Sequence, residues 1–386
     1  LSANPVLEDV SPRRSGDAPP LPSPSRRIRE LDGLRSIAIW LVLSVHFLFD
    51  ATVTPPQVTA HIPRALLIVV EHGWLGVDLF FVLSGFLITG ILLDAREAGG
   101  NGSLLRGFYE RRARRILPLA LIVGTILFFA YGPSYHTYFG LCAIFLANFN
   151  QYLHVATPHG AGIYWSLSVE EQFYLVWPWL VLWLPRRTLI AVAIALLIAE
   201  PAFRAIGSMH NIDGFSFLTW GRSDGLAAGA LVALWFRSPS VDRPRSLRFA
   251  AVLAGLAVAI TIIGMPFGLA HAGVASDALR ITQANLVFSA LIVFAITNAE
   301  SFSVGFLRSR IMRITADLSY CIYLIHVPLA DLYANVVPHA FPAIMRLSPD
   351  VATVVRTTVL IAACYFLAAL SRHFIELPLL KRRPSS

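Results

Sequence analysis

The 386-residue chain has a single lysine, Lys381, only three cysteines, and charged side chains at just 14% of its positions. So little charge cannot solvate the surface of an ordinary globular domain, so a soluble protein of average composition is excluded. Cys142, Cys321 and Cys364 lie in apolar segments without metal-type spacing, and they read as small core hydrophobes rather than a disulfide framework or a zinc site. H-E-x-x-H, the P-loop and G-x-S-x-G are all missing, and His61, His72, His136, His154 and His159 are scattered without ligand spacing. No metal centre is expected.

What the chain has instead is apolar length. Hydrophobic residues make up 56% of it, and runs long enough to cross about 30 Å of hydrocarbon fall near 33–50, 71–94, 116–131, 164–184, 188–206, 215–236, 249–268, 282–299, 315–336 and 352–372. The expected fold is all-α and polytopic, with about ten transmembrane helices. Aromatics are abundant, and Trp177 and Trp179, at the end of one run, suit the bilayer interface. An eleventh run, 138–151, is interrupted by Asn148, Asn150 and Gln151. Whether it crosses sets the orientation of everything after it.

The formal net charge of +8 would suggest nucleic acid on a soluble protein; on this chain the arginines first report topology. If 138–151 does not cross, 25 of the 31 Lys and Arg residues fall on one side and six on the other. By the positive-inside rule the rich side is cytoplasmic, which places both termini there. A crossing would destroy this bias, so 138–151 is expected to be re-entrant or interfacial. Non-helical backbone at that depth survives only inside protein or beside a watery cavity, which makes the segment a candidate cavity wall. Residues 1–27, rich in Pro, Ser and Arg with no apolar run, are expected to be a disordered cytoplasmic tail, and 28–383 one membrane domain.

Ionisable groups inside apolar spans cost at least about 2.5–3.5 kcal/mol each, so each one asks for a function. In "LRSIAIWLVLSVH", Arg35 and His46 are eleven residues apart. That is three helical turns plus about 20°, so they share a face about 16 Å apart along the axis. His46 suits a general base, since burial favours its neutral, proton-accepting form, and it equally suits an interhelical hydrogen-bonder. In "FYERRARRILP", Arg112 and Arg115 are spaced i, i+3, as are Arg111 and Arg114, so one turn can present paired guanidiniums to a polyanion or to lipid headgroups. "GIYWSLSVEEQFYLVWP" places Glu170 and Glu171 together in aromatic surroundings, facing about 100° apart. Asp78, Ser84 and Thr89 lie in the second run, Arg222 and Asp224 in the sixth. The latter two face away from each other, and each needs a partner on another helix. Glycines in both runs permit close helix packing.

These segments together resemble the acyltransferase-3 family of integral membrane acyltransferases, which includes O-antigen and peptidoglycan O-acetyltransferases and macrolide acyltransferases. "ELDGLRSIAIWLVLSVHF" is similar to that family's first helix with its Arg-x10-His pattern, met by Arg35 and His46. "GVDLFFVLSGFLITGIL" resembles the second helix, and "RRARRILP" supplies an Arg-x-x-Arg at Arg112 and Arg115. "YWSLSVEEQFYLVWP" is similar to its glutamate segment, with Glu170 at the recurrent position; "WGRSDGLAAGALVAL", "LSYCIYLIHVPL" and "FIELPLLKR" fit later ones. The likeness covers roughly residues 28–383.

The resemblance implies transfer of an acyl group, commonly acetyl, from cytoplasmic acyl-coenzyme A to a hydroxyl of a carbohydrate or glycoside, without a metal, in a bacterial cytoplasmic membrane. Arg35, Arg112 and Arg115 would meet the donor's phosphates, and His46 would take the acceptor's proton or relay the acyl group. Glu170 would hold the imidazole or the acceptor, with Asp78, Ser84, Glu171, Arg222 and Asp224 serving the acceptor or supporting the site. An extended pantetheine arm is about as long as the rise from Arg35 to His46, of order 15 Å. A macrolide-like glycoside is the alternative acceptor. On the spans and buried charges alone, a transporter or lipid-linked-sugar flippase is the competing class.

Overall fold

The computed structural model describes residues 28–48, 63–99, 102–239 and 241–381; the expected tail over 1–27 and His61 lie outside them. The described residues form helices joined by short turns, with no strand among them. The helices of the bundle are α1 (Arg29–Leu48), α2 (Arg64–Glu71), α3 (Gly76–Glu97), α4 (Gly102–Tyr131), α5 (His136–Ala143), α6 (Tyr164–Trp183), α7 (Arg186–Met209), α8 (Asp224–Phe236), α9 (Arg243–Gly264), α10 (Val274–Thr297), α11 (Arg310–Ala340) and α12 (Pro349–Ser371). Among the described residues, eight helices are long and apolar enough to cross a membrane. The other two of the ten expected runs are α6, whose 20 residues include Glu170 and Glu171, and α8, with only 13. The protein is an all-α polytopic membrane protein.

Burial orders the bundle. The window containing α3 is 72% buried and that containing α9 only 17%, so α3 is the central post and α9 a peripheral, lipid-facing helix. Against α3 pack α1, α6, α8 and α10. The α3–α8 approach is set by glycine: a Cβ on Gly85 would lie 1.9 Å from the Leu226 carbonyl oxygen, and one on Gly229 would lie 2.0 Å from that of Val82. Only residues without side chains let the two backbones meet so closely, as the glycines of both runs suggest.

Segment 138–151 is not a spanning helix. It holds the eight-residue α5 and a 3-10 turn at Ala147–Phe149, and an eight-residue helix reaches only about 12 Å. Its irregular backbone is held by α6. The Gln172 amide donates to the Phe145 carbonyl (2.7 Å) and to Asn148 Oδ1 (2.9 Å), and Ala147 N–H donates to Ser168 Oγ (3.1 Å). Phe145, at φ 56°, is in the left-handed region where the chain reverses. The irregular turn at Ala147, Asn148 and Asn150 is thus buried against protein, while Ile144 and Leu146 before it are exposed.

One expectation needs correction. Trp177 is not at the lipid interface: it is 2% exposed, stacks on Phe173, and donates from Nε1 to Thr89 Oγ1 at 2.8 Å. A buried indole N–H must find an acceptor, and Thr89 supplies it. Trp179 and Trp183, on the other face of α6, are the exposed rings.

Candidate active site

Arg35, Arg112, Arg115, Glu170 and Ser84, far apart in sequence, line one cavity of about 110 Å³. α1 supplies Arg35, α4 the Arg112–Arg115 pair, α6 Glu170 and α3 Ser84. α4 is fixed there by tyrosines of neighbouring helices. Tyr320 donates to the Ile116 carbonyl (2.7 Å) and Tyr164 to that of Ala120 (3.1 Å), on either side of Pro118. This rotation decides between the two Arg pairs. Arg112 and Arg115 face the cavity, whereas Arg114 turns toward Glu110 at 3.8 Å.

Inside this narrow cavity the Arg112 guanidinium stands 4.7 Å from the centre of the Tyr174 ring, a cation–π contact, and Tyr174 is hydrogen-bonded to Ser84. Glu170 is an electrostatic neighbour of both Arg112 and Arg35. Three cations therefore share a cavity with one lining carboxylate. Such a site has spare positive charge for an anionic ligand.

His46 lines a second, wider cavity of about 630 Å³. Because Arg35 sits near the start of α1 and His46 near its end, the two cavities lie toward opposite ends of the bundle. They share two lining residues, Val77 and Tyr323. The Tyr323 hydroxyl is 2.5 Å from Ser166 Oγ, which itself lines the narrow cavity. The 138–151 segment contributes Asn150 and Gln151 to the wide one.

The tautomer of His46 follows from its hydrogen bond. Nδ1 lies 2.8 Å from the Val42 carbonyl, which can only accept, so Nδ1 carries the proton and Nε2 is the acceptor nitrogen. The end of α1 that presents this ring is pinned by the buried Arg356 of α12, which donates to the Phe47 carbonyl at 2.8 Å.

Sequence reasoning missed the residue packed against His46. His326 of α11 lies edge-on to it with ring centroids 4.8 Å apart, and is fully buried. Its Nδ1 meets the Tyr323 carbonyl at 2.7 Å, and its Nε2 has no hydrogen-bond partner among the described residues. The available signal was an imidazole in an otherwise apolar span, "LIHVPL". Glu170 and His46, by contrast, line different cavities, so the structure does not bring the glutamate to the imidazole.

The remaining expected residues sort cleanly. Arg222 pairs with Asp78 at 2.7 Å, and its guanidinium lies over Trp165 (4.9 Å) and Trp74 (5.9 Å) at the wall of the wide cavity. Asp224 pairs with Arg204 at 2.9 Å, both fully buried. Arg222 and Asp224 thus do find partners on other helices, as their opposed directions require. Glu171 lines neither cavity, and its buried Oε1 has no hydrogen-bond partner among the described residues. Arg204 and Glu200, whose carboxylate accepts from the Asp224 N–H at 2.7 Å, went unnoticed in the sequence because their partners are on other helices. Among the described residues no group of three His, Cys, Asp or Glu side chains could hold a metal ion.

Fold and site together define a polytopic membrane protein with a cation-rich cavity and a histidine cavity that share the wall residues Val77 and Tyr323. The chain belongs to the acyltransferase domain family Acyl_transf_3, whose model matches residues 28–372. Similar proteins include the peptidoglycan O-acetyltransferase OatA of Listeria monocytogenes, 28% identical over 384 residues that cover 92% of this chain and 56% of that protein. The putative peptidoglycan O-acetyltransferase YrhL of Bacillus subtilis is 30% identical over 394 residues, covering 92% and 55%. The O-acetyltransferase OatA of Staphylococcus aureus is 28% identical over 289 residues, covering 67% and 46%. The chain therefore spans about half the length of the curated relatives it matches. No solved structure matches it.

Proposed function

We propose that this chain is an acyl-coenzyme A-dependent O-acyltransferase that moves an acyl group, acetyl in the first instance, to a hydroxyl of a cell-envelope carbohydrate such as peptidoglycan. The observation that supports this reading is that the two cavities share the wall residues Val77 and Tyr323. In this reading a donor held by Arg35, Arg112 and Arg115 and an acceptor beside His46 approach each other across that shared wall. The family supports the transferase over a transporter, and the names of the relatives support a carbohydrate acceptor.

In this reading the arginines are cytoplasmic. Arg115, exposed at the mouth, and Arg112 and Arg35 within bind the phosphates of the donor by charge-assisted hydrogen bonds. Glu170 tempers their mutual repulsion. The narrow cavity admits the thioester end of the donor toward Val77 and Tyr323. On the far side, Nε2 of His46 accepts the proton of the acceptor hydroxyl as its oxygen attacks the thioester carbonyl carbon. A C–O bond forms, the C–S bond breaks, and the thiolate leaves with coenzyme A, taking up a proton. His326, packed on His46, fixes the ring so that Nδ1 stays on the Val42 carbonyl and Nε2 stays basic.

The test is purified protein in nanodiscs given radiolabelled acetyl-coenzyme A and peptidoglycan fragments. His46→Ala is expected to lower kcat about 10²–10⁴-fold, the range for loss of a general base. An unchanged rate of transfer removes His46 from the chemistry.

A further inference from the structure

The wide cavity is lined by one arginine that no carboxylate among the described residues meets in an ion pair. Arg222 is answered by Asp78 behind it, so its charge is spent within the protein. His159 comes with Asp331 at 3.5 Å, and Asp331 also accepts a hydrogen bond from Tyr131. Arg280 of α10 is different. Its guanidinium donates to the Leu269 carbonyl at a long 3.3 Å, and among the described residues no carboxylate lies within ion-pair distance of it. Asp277, the one carboxylate lining the cavity, is a turn earlier on the same helix and is engaged by the Ser208 hydroxyl of α7 at 2.7 Å. The position of Arg280 also argues against a merely solvated charge, since it is half-buried. A guanidinium in that setting is stabilised by a ligand that brings the missing anion.

The rest of the wall matches such a ligand to a sugar. Trp74 and Phe217 give apolar ring surface, and Asn150, Gln151 and Thr157 give hydrogen-bonding groups for hydroxyls. At about 630 Å³ the cavity is in the size range of small-ligand sites. We infer that the wide cavity binds an anionic carbohydrate, with Arg280 gripping its carboxylate or phosphate while a hydroxyl of the same molecule faces His46. This deepens the O-acyltransferase reading and rests on it for the role of the hydroxyl. The binding preference stands on the cavity alone.

The experiment measures equilibrium binding to the full chain in phosphatidylcholine nanodiscs. Three probes share one backbone: a neutral N-acetylglucosamine tetramer, the tetramer bearing lactyl carboxylates, and the tetramer bearing a reducing-end phosphate. The wild type is expected to bind at least one anionic probe about tenfold or more tightly than the neutral one, and the better probe tells carboxylate from phosphate. Arg280→Gln is expected to erase that margin while leaving the neutral affinity and the thermal midpoint unchanged, whereas Asp277→Asn keeps or widens it. No preference for an anion in the wild type, or a margin that survives in Arg280→Gln, overturns the inference and leaves Arg280 as a donor to the Leu269 carbonyl. Acetyl transfer is then measured on the preferred probe. Anion preference without transfer sinks the catalytic reading alone, and transfer without anion preference sinks only this inference.

Discussion

Arg204 and Arg112 are both guanidiniums inside a bundle of apolar helices, and they are held in opposite ways. Arg204 is fully buried and saturated: it donates to Asp224, to Thr282 and to the carbonyls of Gly221 and Ala278, and Thr282 in turn donates to Asp224 at 2.6 Å. Arg112 faces a cavity across a tyrosine ring, among two other arginines and one glutamate. The Arg204 guanidinium, with its partners inside the protein, joins helices α7, α8 and α10 and offers a ligand nothing. Arg112, in a cavity short of carboxylates, keeps its charge for a visitor. An arginine facing a cavity and one enclosed by its acceptors are thus different devices, the first open to a ligand and the second an internal fastening.

The comparison breaks most visibly if the two arginines respond alike. Arg204→Met leaves Asp224 and Glu200 facing each other without a cation and is expected to cost about 3–5 kcal/mol, read as a fall in the thermal midpoint in detergent. Adding Asp224→Leu is expected to recover most of that loss, because an apolar pair of similar volume replaces the ion pair. Arg112→Gln or Arg115→Gln is expected to leave the thermal midpoint unchanged and to raise the donor KM about tenfold or more, the worth of one charge-assisted hydrogen bond of about 1.5–3 kcal/mol, with kcat nearly unaffected. A loss of stability in Arg112→Gln equal to that of Arg204→Met would make both arginines structural. The smallest effect is expected from Trp177→Phe. It removes the donor to Thr89 for about 1 kcal/mol, visible in the thermal midpoint and absent from the donor KM. Orientation can be checked separately: single cysteines at 186 and 187 should react with impermeant reagents only from the cytoplasmic side, and labelling from outside would mean that 138–151 crosses.

The fold was legible where the pattern is local. The ten apolar runs all fall on helices, eight of them long and apolar enough to cross a membrane, and the arginine bias singled out 138–151, whose Asn148 and Asn150 are incompatible with a lipid-facing span. Spacing alone left the Arg111–Arg114 and Arg112–Arg115 pairs open; the family resemblance pointed to the second, and the docking of α4 turns Arg112 and Arg115 into the cavity with Arg35. What the sequence could not show is pairing between helices. Asp224 was visible without Arg204, and His46 without His326, because their partners are 20 and 280 residues away. Trp177 misled for a related reason. An indole at the end of an apolar run satisfies the interfacial rule equally whether its N–H meets water or Thr89.

Val77 and Tyr323 belong to the walls of both cavities. If the arginines are cytoplasmic, as proposed, these two shared wall residues also stand where the protein must insulate one side of the membrane from the other. One elementary charge crossing 100 mV releases about 2.3 kcal/mol, so a gap there would discharge the potential that the cell maintains. Under the proposed two-sided reaction the chain must bring reactants together without becoming a channel, and that demand would fall on one valine and on one tyrosine hydrogen-bonded to Ser166.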